Sequence, residues 1–148
     1  MQEKSNAMLE PCTVIGAMLA TARMHRKQAE RVVRSTGLHP TQHRVLMYLS
    51  YRKEPCKQKE LAEHFELTPA AVVQMLDKLE SDGYVMREAS ECDARCKHVS
   101  LTEMGCETAM RSREAFHTID ASVLDGIDPE ELGTFYQVLL RMQEKLKE

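Results

Sequence analysis

A chain of 148 residues with 20 Lys and Arg against 23 Asp and Glu has room for one domain, or one domain with an appended association element. Its 43% hydrophobic and 29% charged residues exclude disorder and collagen-like repeats, and its longest apolar run, residues 14–20, is far short of the ~20 residues of a membrane helix. The formal charge of −3 also argues against nucleic-acid binding, whose usual footprint is a strongly basic domain, unless the cations are gathered locally.

Helix formers abound, and strand formers are concentrated in one region. The first helix is predicted over residues 11–35, where Ile15, Met18, Leu19, Ala22, Ala29, Val32 and Val33 recur at helical spacing. Its second half, residues 23–34, is rich in Arg and Lys, and Gly37 marks its stop. A second helix is predicted over 41–51, with Val45, Leu46 and Leu49 on its apolar side, until the polar stretch Arg52-Lys53-Glu54-Pro55-Cys56-Lys57 breaks it. Residues 58–65 are short and amphipathic. Thr68 then caps a helix with Pro69 at its first position, running through 70–81 and ending at Gly83.

Residues 84–88 and 97–101 carry the one convincing β signal, a hairpin with a long polar tip. A helix follows over 107–124. Asp128-Pro129-Glu130-Glu131 opens the last helix as a full capping box, and Leu132, Phe135, Tyr136, Leu139, Met142 and Leu146 form its stripe.

The functional signal is the pair of short helices over 58–79. A helix-turn-helix needs a small residue where its helices approach, here Ala62. Apolar residues must then lock the second helix: Leu61, Phe65 and Leu67 from one side, Val72, Met75, Leu76 and Leu79 from the other. With that stripe turned inward, Pro69, Ala70, Ala71, Val73, Gln74, Asp77 and Lys78 face outward. A face that small and mildly polar suits a helix end entering the major groove. An αα-hairpin inside a helical bundle fits the same pattern.

The hairpin that follows favours the winged form of the motif. Its tip, Ser90-Glu91-Cys92-Asp93-Ala94-Arg95-Cys96-Lys97, holds an Asp-x-Arg and a Lys. An Arg on an extended ribbon reaches a narrow minor groove, and Asp93 can hold the Arg95 guanidinium in place. Alone, such a tripeptide is an ordinary surface turn; its position after the two-helix unit makes it informative.

The series 58–65, then 68–83, then Asp93-Ala94-Arg95 and Val99-Ser100-Leu101-Thr102-Glu103-Met104-Gly105 resembles a MarR-family transcriptional regulator, and the resemblance spans nearly the whole chain. It implies a mainly α fold: a winged helix-turn-helix with a two-stranded β-wing and N- and C-terminal dimerisation helices. The implied segments are 1–37 for the first dimerisation helix, 38–105 for the DNA-binding lobe and 106–148 for the C-terminal dimerisation helices. The implied function is a homodimeric regulator, usually a repressor, that binds a palindromic operator in double-stranded DNA and releases it on binding a small phenolic or apolar ligand. By position, Thr68, Ala70, Ala71, Val73, Gln74 and Lys78 fall on the groove-facing side of the recognition helix, and Asp93, Arg95 and Lys97 on the wing. Many members carry a basic residue where this chain has Gln74 and a second Arg where it has Ala94. Gln contacts adenine and Ala or Val meets thymine methyls, so a different operator and weaker electrostatic affinity are expected.

Three sensing modes compete. A ligand crevice between dimer helices and DNA-binding lobe would draw on Met18, Met24, His25, His43, Met47, Phe116 and His117, since methionines re-pack around varied ligands; each is equally at home as a core or interface residue. Redox sensing would use Cys92 and Cys96 at the wing tip or Cys12, where the first helix's dipole favours a thiolate. The tyrosine partners found in peroxide-sensing relatives are replaced here by His39-Pro40-Thr41-Gln42-His43. Metal sensing has only Cys92-x3-Cys96-x-His98, with three donors on a ribbon, and the loose grouping of Glu114, His117 and His43, neither of them a sound zinc site.

The five cysteines are odd in number and irregularly spaced, so reduced thiols in a soluble, cytoplasmic protein are expected. Ser5-Asn6-Ala7 ahead of Met8 reads as a tag remnant. No phosphate loop, HExxH motif or nucleophile–base set stands out, so neither an enzyme nor a cofactor or metal site is expected. The rival reading is a winged-helix adaptor that binds protein rather than DNA, motivated by the low charge of the recognition helix. Acidic residues gather toward the C-terminus, while Arg52, Lys53, Lys57 and Lys59 border the motif and Arg87, Arg95 and Lys97 lie on the wing. The net charge therefore hides a local basic edge, and moderate DNA affinity is predicted.

Overall fold

The computed structural model describes residues 10–89 and 97–147, and of Lys97 the backbone only. In chain order these form α1 (Pro11–Ser35), α2 (Pro40–Ser50), β1 (Cys56–Lys57), α3 (Gln58–Phe65), α4 (Pro69–Ser81), β2 (Val85–Ala89), β3 (Lys97–Leu101), α5 (Glu103–Leu124) and α6 (Pro129–Lys145). Two compact units divide between Phe116 and His117, within α5. Among the described residues no helix is long and apolar enough to cross a membrane.

The first unit contains the winged helix-turn-helix. Val45, Leu46 and Leu49 of α2, Leu61 of α3, Val72, Leu76 and Leu79 of α4, and Val85 and Val99 of the sheet make one buried cluster. Each such side chain taken from water contributes roughly 1.5–3 kcal/mol. The α4 spacing i, i+4, i+7 puts Val72, Leu76 and Leu79 on one stripe, as its periodicity predicts, while Phe65, Leu67 and Met75 pack partly buried around them.

The two wing strands β2 and β3 pair as expected, and β1 adds a third strand that the sequence did not suggest, in the antiparallel order β1-β3-β2. Cys56 pairs with Val99 and Lys57 with His98; Val85 pairs with Leu101 and Ala89 with Lys97. Two residues after a proline are too few to show a period of two, so β1 reads as loop in the sequence.

Helix boundaries follow their caps. α2 begins at Pro40, one residue before its predicted start, because His39 closes a reciprocal cap: its Nδ1 accepts from the Thr41 amide at 3.3 Å and its own amide donates to Gln42 Oε1 at 3.0 Å. α4 is capped as predicted, with the Thr68 hydroxyl accepting from the Ala71 amide at 3.2 Å. Between α3 and α4 the chain turns through Glu66 in the left-handed region, φ 53°, a conformation ordinarily given to Gly or Asn.

α5 starts four residues earlier than its periodicity suggests. Thr102 donates its hydroxyl to the Gly83 carbonyl at 2.6 Å and accepts from the Gly105 amide at 3.1 Å, so one side chain both caps α5 and ties it to the end of α4. A Cβ on Gly105 would lie 2.1 Å from the Tyr84 carbonyl oxygen. The Leu-Thr-x-x-Gly series of the sequence is thus a strand end, a cap and a close backbone approach.

In the second unit, Asp128 caps α6 by accepting from the amides of Glu130 at 2.8 Å and Glu131 at 3.4 Å. Its stripe stays open: Phe135 is 54% and Tyr136 57% exposed. In the first unit the front of α1 is likewise open at Val14, Ile15 and Leu19.

Candidate nucleic-acid interface

With its apolar stripe locked inward, α4 presents Thr68, Ala70, Val73, Gln74 and Lys78 to solvent, and Ala71 half-buried beside them. These are the six helix positions expected to face DNA, and they lie together. The first two turns, from Pro69 to Leu76, carry no charged side chain. The amide end of a helix has partial positive character, so an uncharged end suits an approach to a phosphate-lined groove. The Thr68 hydroxyl already accepts from Ala71, and Lys78 Nζ lies 3.0 Å from Asp82 Oδ1, so neither is uncommitted. An open groove of about 600 Å³ borders this face, with the cap residue His39 and Thr41 and Gln42 of α2 along one side and Ala71, Gln74 and Lys78 of α4 along the other. The sequence does not place the start of α2 beside this face of α4; nothing in a linear pattern brings them together.

On the wing, the Lys97 backbone lies opposite Ala89. Asp93, Arg95, Cys92 and Cys96 lie outside the described residues. Arg87, counted with the basic edge, is turned away from that role. Its Nε donates to Glu80 Oε2 at 2.9 Å and its Nη2 to Asp77 Oδ1 at 2.6 Å, with a further Nη2 contact to Glu80 Oε2. The Arg87 amide donates to Glu80 Oε1 at 3.2 Å. The guanidinium hydrogen bond holds the Glu80 carboxyl below its usual range, and the same bond raises Arg87 further. Arg52 is also engaged, 2.9 Å from Glu60 Oε2 and over the Tyr48 ring.

Behind this face, His43 is buried, with Nε2 3.0 Å from Ser112 Oγ and its ring edge-on to Phe116 at 5.9 Å. Burial lowers its pKa from the ordinary 6.5. Ser112 also lines a cavity of about 220 Å³ with Ser35, Thr36, Tyr84, Thr108 and Arg111. None of the seven residues expected in an effector crevice lines it. His43 and Phe116 are brought together and reach it through Ser112; Met47 packs against the core. Met18 is half-buried on α1, Met24 and His25 are exposed there, and His117 is exposed at the start of the second unit. The hydroxyls and Arg111 were missed because they come from three separate segments.

Among the described residues Cys12 and Cys106 are exposed and Cys56 is buried. Burial pushes the Cys56 thiol up to about 11, helped by its hydrogen bond to Glu60. Among the described residues no group of three His, Cys, Asp or Glu could hold a metal ion.

The MarR family model matches residues 36–95, the stretch from the end of α1 to the wing tip. The transcriptional regulator PA3341, a solved structure, is 32% identical, with 90% of this chain and 98% of that one covered and a TM-score of 0.65. The HTH-type transcriptional regulator BilQ of Clostridium symbiosum is 29% identical over 100 residues, 66% of this chain and 69% of BilQ. A mutant of S. aureus MepR bound to an oligodeoxyribonucleotide superposes with a TM-score of 0.70 at 19% identity, covering 93% of this chain and 99% of that one, a likeness of fold.

Proposed function

The chain belongs to the MarR family of DNA-binding transcriptional regulators, and from that premise we propose that it acts as a homodimeric repressor that reads a palindromic operator and lets go when a small ligand binds. The observation that carries the DNA half is the exposed, uncharged first half of α4, with Thr68, Ala70, Ala71, Val73, Gln74 and Lys78 gathered on its outer side. Gln74 is the residue to read adenine, and the alanines and Val73 to meet thymine methyls. Asp93, Arg95 and Lys97 of the wing serve the adjoining minor groove and backbone. A mutant MepR of the same fold carries an oligodeoxyribonucleotide.

The open apolar residues of α1 (Val14, Ile15, Leu19) and α6 (Phe135, Tyr136, Leu140) support self-association, because apolar faces of this kind mark interfaces. Dimerisation would set the two recognition helices about one DNA turn, ~34 Å, apart. The cavity beside Ser112 and Arg111 is the effector site we favour. Its hydroxyls and guanidinium suit a phenolic ligand better than a purely lipophilic one.

Gel shifts on palindromic fragments of the protein's own promoter, repeated across salt, test this reading. Retention that is specific, falls steeply with salt as released counterions require, and weakens in Arg95→Ala is the expected result. Unspecific retention indifferent to Arg95→Ala would instead indicate the adaptor role. Phenols that lift retention in the wild type should fail to do so in Arg111→Ala.

A further inference from the structure

We infer that Arg87 is a positioning residue for DNA reading: from the wing strand it shares its one positive charge between Asp77 and Glu80, halving the negative charge with which α4 approaches phosphate. It does this without touching DNA itself. This rests on the DNA-reading function proposed above.

Asp77 and Glu80 sit three residues apart on one side of α4, continuing the helix that carries Gln74 and Lys78. Left alone, two carboxylates there would repel the phosphates that a recognition helix must approach. Both are instead met by one guanidinium, through Nε and Nη2. The Arg87 side chain is only 12% exposed, against 58% for Asp77 and 39% for Glu80. A cation that buried, already committed to two acceptors, would have to break those bonds to reach a phosphate. Its backbone amide is held by the same Glu80, so strand and helix cannot separate without losing the fork. The third carboxylate near the end of α4, Asp82, is met by Lys78. The acidity of this helix in the sequence is thereby reduced in the fold, each carboxylate facing a cation.

Screening differs from two simpler roles. A direct phosphate contact would be lost with Arg87 whatever stands at 77 and 80. A purely structural bolt would be lost equally when either side of the ion pair is removed. Only a screen becomes unnecessary once the carboxylates are gone.

Four proteins decide the matter: wild type, Arg87→Gln, Asp77→Asn with Glu80→Gln, and the triple variant. Each is titrated by fluorescence anisotropy against the duplex that the wild type enriches from a random-sequence library, and melted in parallel. Arg87→Gln should bind roughly tenfold more weakly, since two surface carboxylates become unpaired. The triple variant should return to within about threefold of wild type while melting no higher than Arg87→Gln. A triple variant as weak as Arg87→Gln overturns the inference, as does an Arg87→Gln protein that binds like wild type. If Arg87→Gln does not fold, the carboxylate pair variant decides alone: binding at least as tight as wild type supports the screen, and a loss overturns it. A wild-type protein that enriches no duplex would overturn the DNA-reading function and this inference together.

Discussion

The carbonyl oxygen of Tyr84 stands 2.1 Å from the point where a Cβ on residue 105 would be, so Gly105 is held there by the backbone just ahead of β2. The obstacle is main chain, not a side chain that can swing aside. Gly105→Ala should therefore destabilise the first unit by about 2 kcal/mol or more. Urea unfolding followed by circular dichroism would measure it; a loss under half a kcal/mol would mean that α5 slides off Tyr84 at little cost.

Thr68 carries a second, smaller prediction. Its hydroxyl satisfies the Ala71 amide at the start of α4, and Thr68→Ala should cost about 1 kcal/mol in the same unfolding assay. Thr68→Ser, which keeps the oxygen, should cost much less. Equal losses in the two variants would assign the effect to the lost methyl instead.

His43 gives the molecule a pH dependence. Burial lowers its pKa below the ordinary 6.5, so the unfolded chain takes up its proton at higher pH than the folded one. Stability from neutral His43 is present above 6.5 and is lost as pH falls from there toward the depressed folded value. Melting temperature should fall across that window in the wild type and fall less in His43→Gln, where an amide keeps contact with Ser112. Parallel curves would show that His43 does not carry the dependence.

The thiols should separate by reactivity. Cys12 and Cys106 are exposed, whereas Cys56 is buried and its thiol is pushed up to about 11. Iodoacetamide near neutral pH should alkylate the first two in the folded protein and reach Cys56 only in denaturant, because the thiolate is the nucleophile. Peptide mass spectrometry reads each site directly. Modification of Cys56 at the rate of Cys12 would mean that β1 opens readily.

What the sequence made legible was what repeats locally. The α4 stripe of Val72, Leu76 and Leu79, the Thr68 cap and the Asp128 cap are all written within one or two helical turns. β1 was invisible because its two residues pair with Val99 and His98, some forty positions away. The start of α5 was misread although Thr102 caps it locally through Gly105; its second contact, to Gly83, exists only after the wing has folded. Arg87 looked like one more surface cation, and only the fork onto Asp77 and Glu80 reveals it as an internal counter-charge. Glu66 shows the same limit, since its left-handed turn is imposed by the packing of α3 on α4 and not by its residue type.

β3 lies between β1 and β2, and β1 runs straight into α3 while β2 is pinned to α4 through Arg87. The helix and the strand stems of the proposed reader are thus two grips on one handle, joined before any duplex arrives. In the proposed mode of binding, engagement of the helix would present the wing to its groove at a high effective concentration. Substitutions at Gln74 and on the wing should then be strongly coupled in double-mutant cycles, the second costing less than it does alone, because a duplex released by one grip has little hold left in the other.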